Sequence, residues 1–188
     1  MKTEIICVID RSGSMASIAS DAIGGFNTFL ADQKTVPGEA RITVALFDDK
    51  YEVLYANTAI SSAEPLTSKT FVPRGGTAML DAIGRTLNEQ GARIKSDAWA
   101  DKVIVCILTD GQENQSREYT AAKVKEMVQH AEKHGWSFVY LAANQDAFAS
   151  GAQYGIAAAH TMNFAATAQG TNDAYASMSS VTRSLRTA

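Results

Sequence analysis

Five oxygen-bearing side chains stand at the ends of apolar or glycine-rich segments in three separate parts of the chain. They are Asp10, Ser12, Ser14, Thr77 and Asp110. The first three follow the apolar run 5–9, and the last follows the apolar run 103–108 within a Thr-Asp-Gly triplet. The threonine follows a pair of glycines. Carboxylate and hydroxyl oxygens suit hard divalent cations, so these residue types predict a site for Mg2+, with Mn2+ or Ca2+ as alternatives.

The balance of charge at such a site indicates what else it binds. Two carboxylates and three neutral hydroxyls only just neutralise a divalent cation. If the carboxylates act partly through water, the cation stays electrophilic and favours one more anionic oxygen. We therefore expect the cation to recruit a carboxylate from an acidic residue of a protein partner.

Strand and helix patterns alternate along the chain and determine where the five side chains lie. Continuous apolar runs predict strands covered on both faces at 4–9 and 103–108. Further strands are predicted at 41–47, 51–55, 137–142 and 160–164. Apolar residues at helical spacing predict helices over 16–33, 78–95, 117–134, 146–154 and 171–185.

The polar residues Asp48, Asp49 and Lys50 are too few for a crossover helix, so they predict a solvated hairpin turn between antiparallel strands. The stretch 56–76 is predicted to be irregular.

This alternation predicts one α/β domain over residues 1–188. Its doubly wound, mostly parallel central sheet has one antiparallel edge strand and carries helices on both faces. Ligands of such sheets bind beyond the carboxyl ends of the strands. The two most apolar strands are expected side by side at the centre, which makes Asp10 and Asp110 neighbours. Thr77 lies just before the next helix, and we expect it near the same edge.

Composition argues against several classes of protein. The 188 residues include 17 Lys and Arg against 20 Asp and Glu, for a net charge of -3, and 46% are hydrophobic. This slight acidity argues against nucleic acid or an anionic membrane as the main partner. No stretch approaches the roughly 20 apolar residues of a membrane span, and the first apolar run is shorter than a signal-peptide core. We therefore expect a cytoplasmic protein whose two cysteines, Cys7 and Cys106, are buried and reduced.

The motif Asp10-x-Ser12-x-Ser14, followed by Thr77 and by Asp110 in Thr-Asp-Gly, resembles the metal-ion-dependent adhesion site of von Willebrand factor type A domains. The resemblance covers essentially the whole chain, and all five positions match in order and spacing. It implies that the three hydroxyls contact the metal and that the two carboxylates hold it directly or through water. A carboxylate of the partner would complete the coordination. Without an adhesion stalk, a signal or a second domain, the chain looks more like intracellular bacterial or phage members, which act in protein complexes.

An alternative function is Mg2+-dependent phosphoryl transfer with Asp10 as the nucleophile, as in phosphatases of the haloacid dehalogenase type. Those enzymes carry a second aspartate where this chain has Ser12, and the phosphate-binding Gly-x4-Gly-Lys motif is absent. We therefore expect a protein-binding module without catalytic residues.

Further polar residues follow the strands that end near the predicted site and are candidates for contact with the partner. They are Gln112, Glu113, Asn144 and Gln145. His130 and His134 lie four residues apart on a predicted helix, a spacing that also suits zinc. We interpret them instead as part of a polar face near the helix end, where a cationic histidine suits the helix dipole.

Overall fold

Six strands form one sheet in a computed structural model that describes all 188 residues. The strands are β1 (Lys2–Asp10), β2 (Glu39–Phe47), β3 (Tyr51–Ala59), β4 (Lys102–Thr109), β5 (Trp136–Ala142) and β6 (Thr161–Asn163). Their order across the sheet is β3-β2-β1-β4-β5-β6. Every neighbouring pair is parallel except β2 and β3. This topology confirms the predicted α/β fold with a single antiparallel edge strand.

Five α-helices cover the two faces of the sheet. They are α1 (Ala19–Thr35), α2 (Met79–Asp97), α3 (Ala121–Lys133), α4 (Ala147–Gln153) and α5 (Ala168–Thr187). Helices α1 and α5 pack on one face, whereas α2, α3 and α4 pack on the other. Short 3-10 turns precede α1, follow β3 and precede β6. None of the helices combines the length and the apolar character needed to span a membrane.

The two central strands are continuously apolar over residues 5–9 and 103–108, where both of their faces are covered. In β1, Ile5, Cys7 and Ile9 contribute to the core beneath α1 and α5. Ile6 and Val8 contribute to the core beneath α2 and α3. Alternate side chains of a strand point to opposite faces, so a strand segment buried on both sides favours apolar residues at every position. A buried exception at the start of β1 is Glu4, which pairs with Arg93. The cysteines of β1 and β4 are both buried, lie opposite each other in the register, and form no disulfide.

The two largest differences from the predicted element boundaries lie at the start of α3 and at the end of β3. Helix α3 begins at Ala121 instead of 117, because the hydroxyl of Thr120 accepts a hydrogen bond from the backbone N–H of Lys123 and caps the helix there. Strand β3 continues to Ala59, whereas the sequence predicted an irregular stretch from 56 onwards. As an edge strand, β3 is partly solvated, so its apolar pattern fades before its pairing with β2 ends at Arg41.

Helices α1 and α5 approach each other closely at a glycine. A Cβ atom built on Gly25 of α1 would overlap the ring of Tyr175 in α5. That ring is almost completely buried and has no free space into which to move. The preceding residue, Gly24, is exposed and has no heavy atom within 4 Å of the equivalent position. The two adjacent glycines therefore differ in packing although they share one helix.

We expect Gly25→Ala to lower the free energy of unfolding by about 1–3 kcal/mol, because the added methyl group overpacks the α1–α5 contact. Gly24→Ala is the matched control. It should raise the free energy of unfolding by up to about 1 kcal/mol, since alanine is the better helix former. Urea unfolding followed by circular dichroism measures both variants. Equal effects of the two substitutions would contradict the close α1–α5 contact.

Candidate metal centre

The carboxyl ends of β1 and β4 place two aspartates in one buried region. Asp10 ends β1 and Asp110 directly follows β4, the parallel neighbour of β1. Their exposed fractions are 0% and 2%. One carboxylate oxygen of Asp10 accepts a hydrogen bond from the hydroxyl of Thr109 at 2.7 Å, and the other accepts one from the backbone N–H of Ser12 at 2.7 Å. The orientation of the Asp10 carboxylate is therefore fixed within the chain.

Three hydroxyl groups lie beside these carboxylates. The Oγ atoms of Ser12 and Ser14 are 3.1 Å apart, and the Ser14 hydroxyl donates to Oδ1 of Asp110 at 2.7 Å. The Thr77 hydroxyl oxygen lies 3.4 Å from the point where a Cβ atom of Gly111 would stand, and Ser14 Oγ lies 3.7 Å from the same point. The fold thus brings the five side chains singled out by the sequence together in one cluster.

Glycine makes the approach of the Thr77 loop possible. Gly75 has a φ angle of 65°, and a side chain there would collide with the carboxylate of Asp49. Its carbonyl accepts a hydrogen bond from the N–H of Gly13 at 3.0 Å. Gly13 lies in the loop that follows β1 and carries Ser12 and Ser14, which we call the first site loop. Asn114 bonds to both backbone groups of Thr77, through its side-chain oxygen at 2.9 Å and its own N–H at 3.0 Å. No local motif in the sequence predicts these bonds between Asn114 and Thr77.

Burial raises the pKa of Asp10 to about 6, although the hydrogen bonds from Thr109 and Ser12 act in the opposite direction. The nearby charge of Asp110 adds to this increase. Burial also raises the pKa of Asp110 above its ordinary value, against the hydrogen bond from Ser14. Both ionised carboxylates are therefore disfavoured in this site as long as no positive charge accompanies them.

No basic side chain of the protein supplies that charge. None of the ion pairs in the structure includes Asp10 or Asp110. The ligand types fit a hard divalent cation, since all five side chains offer oxygen and none offers nitrogen or sulfur. Ser12, Ser14 and Thr77 offer hydroxyls, while the two aspartates offer the charge of -2 that a divalent cation balances.

Arg11 follows Asp10 directly, but its guanidinium group turns away from the site. Its Nε donates to Oδ2 of Asp48 at 2.9 Å, and its Nη2 lies 2.8 Å from a carboxylate oxygen of Glu52. Arg74 donates to the same oxygen of Asp48 at 3.0 Å. The prediction of a solvated turn is wrong for Asp48, which is completely buried because it neutralises Arg11. This pairing ties the first site loop to the end of β2.

The four predicted partner contacts lie on the rim of the cluster, but three of them bond within the chain. Gln112 is exposed. Glu113 accepts a hydrogen bond from the backbone N–H of Leu80, at 2.8 Å, at the start of α2. The amides of Asn144 and Gln145 donate to the carbonyl oxygens of residues 110 and 111, each at 2.7 Å. A role of these four residues in partner binding stays a prediction.

A charged cleft of about 400 Å3 opens beside Thr77. Its charged lining residues are Asp49, Lys50, Asp81, Arg85, Arg117 and Glu118. Arg85 pairs with Glu118, and the Asp81 carboxylate accepts hydrogen bonds from three backbone N–H groups of residues 117–119. Lys50, Arg117 and Asp49 form no ion pair and are exposed, and the cleft lining as a whole carries three acidic and three basic side chains.

The zinc alternative at His130 and His134 finds no further ligands. The two rings lie 4.5 Å apart, and Nδ1 of His134 is 2.8 Å from the backbone carbonyl oxygen of His130. No group of three or more His, Cys, Asp or Glu side chains in the protein is arranged to hold a metal. The structure therefore favours the interpretation of these histidines as part of a polar helix face.

No protein-family model matches the chain, and a comparison with curated proteins finds no match. Solved structures do resemble it. Proximal thread matrix protein 1 from the mussel byssus, whose metal-ion-dependent adhesion site is occupied by zinc, is 16% identical with a TM-score of 0.68, over 96% of this chain and 46% of that one. The von Willebrand factor type A protein from Catenulispora acidiphila is 17% identical with a TM-score of 0.62, over 95% of this chain and 42% of that one.

A third similar structure has about the same length as this chain. The von Willebrand factor domain of the type V pili tip protein Mfa5 from Porphyromonas gingivalis is 12% identical with a TM-score of 0.66. The match covers 96% of this chain and 94% of that one. By contrast, the chain spans less than half the length of the mussel protein. These similarities show that the chain has the fold of von Willebrand factor type A domains.

We expect Asp48→Asn to lower the free energy of unfolding by about 3–5 kcal/mol near neutral pH, because it leaves the buried guanidinium of Arg11 without its buried partner. Burial alone would raise the pKa of Asp48, but the N–H of Lys50 and the two guanidinium groups outweigh it and leave this pKa below its ordinary value of 3.8. The stability that the Asp48 carboxylate adds to the wild type is therefore fully present above pH 3.8, and it is lost as the pH falls through the lowered pKa.

Chemical denaturation of wild type and variant at about pH 7 and about pH 2.5 tests this expectation. Glu52→Gln is the matched control, since Glu52 pairs with the same guanidinium but its side chain is 51% exposed. It should cost no more than about 1 kcal/mol. An Asp48→Asn effect as small as that of Glu52→Gln, or one that persists unchanged in acid, would contradict the assigned pairing.

Proposed function

We propose that this protein is a divalent-cation-dependent protein-binding module. The cation would be held by five side chains, with Mg2+ as the expected ion and Mn2+ or Ca2+ as alternatives. The ligands would be Asp10, Ser12, Ser14, Thr77 and Asp110. One observation carries the proposal: two buried carboxylates and three hydroxyls converge at the carboxyl edge of the sheet, and no basic side chain of the protein neutralises them.

The hydrogen bonds within the cluster suggest which of the five side chains would contact the cation directly. Both carboxylate oxygens of Asp10 already accept a hydrogen bond, so this residue would contribute its charge and orient the loop. Ser12, Ser14 and Thr77 would offer their hydroxyl oxygens directly. Asp110 would join them, since its contact with Ser14 leaves one carboxylate oxygen free. The cation would supply a positive charge that attracts an anionic oxygen.

The partner would be a protein that presents an acidic residue. Two aspartates balance a divalent cation without an excess of negative charge, so the bound cation retains affinity for a further carboxylate. Residues 1–188 would form one binding domain of a bacterial or phage protein that acts in the cytoplasm, where Cys7 and Cys106 would stay reduced.

We expect Mg2+ or Mn2+ to raise the thermal unfolding midpoint of the wild type. A cation present at 100 times its Kd stabilises the folded state by about 2.7 kcal/mol. Ser12→Ala and Asp110→Ala should lose most of this shift, because each removes a proposed ligand. Ser20→Ala is the control, since Ser20 is an exposed serine of the same chain segment at the start of α1. Differential scanning fluorimetry with and without chelator measures all four proteins.

A wild type that shows no shift with any of these cations would refute the metal site. The enzyme alternative has its own test with p-nitrophenyl phosphate and Mg2+. We expect no turnover above background. Metal-dependent hydrolysis that is abolished by Asp10→Asn would instead support phosphoryl transfer with Asp10 as the nucleophile.

A further inference from the structure

The loop between β5 and α4 lies against the loop that carries Asp110. Nδ2 of Asn144 donates a hydrogen bond to the backbone carbonyl of Asp110 at 2.7 Å. Nε2 of Gln145 donates one to the carbonyl of Gly111, also at 2.7 Å. Two consecutive amide side chains therefore bind two consecutive carbonyls of the neighbouring loop. The β5–α4 loop therefore runs alongside the Asp110 loop, with Asn144 opposite Asp110 and Gln145 opposite Gly111.

The Asp110 loop needs such support because sheet pairing ends before it. The last pair between β4 and β5 joins Thr109 to Ala142, and the N–H of Ala143 then bonds to the Thr109 carbonyl. Beyond this point no strand ladder holds residues 110 and 111, and within the loop itself only the Thr109 hydroxyl lies near the backbone of Gly111, 3.3 Å from its nitrogen. Gly111 also lacks a side chain with which to anchor itself. The two amides of the β5–α4 loop thus continue the ladder with side chains after the backbone pairing has stopped.

The backbone of Asn144 adopts a conformation that costs energy. Its φ angle of 56° lies in the left-handed region, which non-glycine residues rarely adopt and in which asparagine is among the most tolerated. Such conformations persist where surrounding contacts over-determine them, and they concentrate at functional sites. Asn144 is exposed as a residue, yet its amide group turns inward to the carbonyl of Asp110. The conformation therefore serves the contact with the site loop.

We propose that Asn144 and Gln145 are positioning residues that set the cation affinity of the site by fixing the backbone of Asp110 and Gly111. This inference rests on the proposed function. Gly111 faces the hydroxyls of Thr77 and Ser14, so a shift of its backbone changes the space that those hydroxyls share. With the loop held in advance, cation binding does not have to order it. Removal of either amide leaves the loop to be ordered on binding, and the affinity falls.

Asn144→Gly removes the amide donor without disturbing the backbone, because glycine adopts the left-handed conformation without strain. Gln145→Met removes the second amide donor while keeping a side chain of similar length. Asn57→Gly is the matched control. Asn57 also has a positive φ, of 54°, and its side chain also forms a hydrogen bond, here as the acceptor from Arg41, but it lies on the edge strand β3. All three variants retain the residues proposed to touch the cation.

Isothermal titration with MnCl2 gives the Kd of each protein, and thermal unfolding in chelator gives its stability without cation. We expect Asn144→Gly and Gln145→Met each to raise Kd on the order of tenfold, which is the low end for partners that orient metal ligands. Asn57→Gly should leave Kd unchanged. The unfolding midpoint in chelator shows how far each variant loses stability without cation. The increase in Kd should be larger than this loss of stability can explain.

Three outcomes would overturn the inference. A wild type that binds no Mn2+ refutes the proposed function, and the inference falls with it. Tight wild-type binding with an unchanged Kd in both site-loop variants refutes the inference alone and shows that the two amides only stabilise the fold. An equal rise in Kd for Asn57→Gly shows a general loosening of the protein, which also contradicts local positioning.

Discussion

Asp10 and Asp110 lie buried at the ends of two adjacent strands, and the cost of keeping both carboxylates ionised there is the constraint that organises this protein. Burial disfavours the charged form of both groups and raises the pKa of each, and the nearby charge of Asp110 adds to this effect at Asp10. Water does not relieve this cost, since both residues are almost fully covered. A charge that the chain itself does not balance is a reason for the site to take up a cation from outside.

The surrounding loops hold the carboxylates while leaving their charge unpaired. Arg11 is next to Asp10 in sequence, but Asp48 draws its guanidinium towards the end of β2. The segment after β4 has no regular structure before α3, yet acidic side chains attach it firmly to α2. Glu113 accepts from the N–H of Leu80, and Asp81 accepts from three N–H groups of this segment. Asp48 thus neutralises Arg11, backbone N–H groups satisfy Glu113 and Asp81, and no basic side chain pairs with the two central aspartates.

Much of the fold could be predicted from local patterns. A strand covered on both faces favours apolar residues at every position, so β1 and β4 were recognisable as the central strands. The short polar segment after β2 allowed only an antiparallel hairpin, which placed β3 at the edge. Parallel strands end at one edge of the sheet, so the residues after β1 and β4 had to meet there. These arguments depend only on periodicity, chain length and the order of elements.

The sequence by itself determined the order of strands and helices, the oxygen-rich cluster and the edge of the sheet where it lies. Only the tertiary structure decided which side chains support that cluster. Asp48 belongs to a polar turn in sequence, but it is buried opposite Arg11, 37 residues away. Asn144 is bound to the carbonyl of Asp110, 34 residues away. Such pairs leave no periodic signal, because their contact depends on how loops pack after the sheet has formed and on which way each side chain turns.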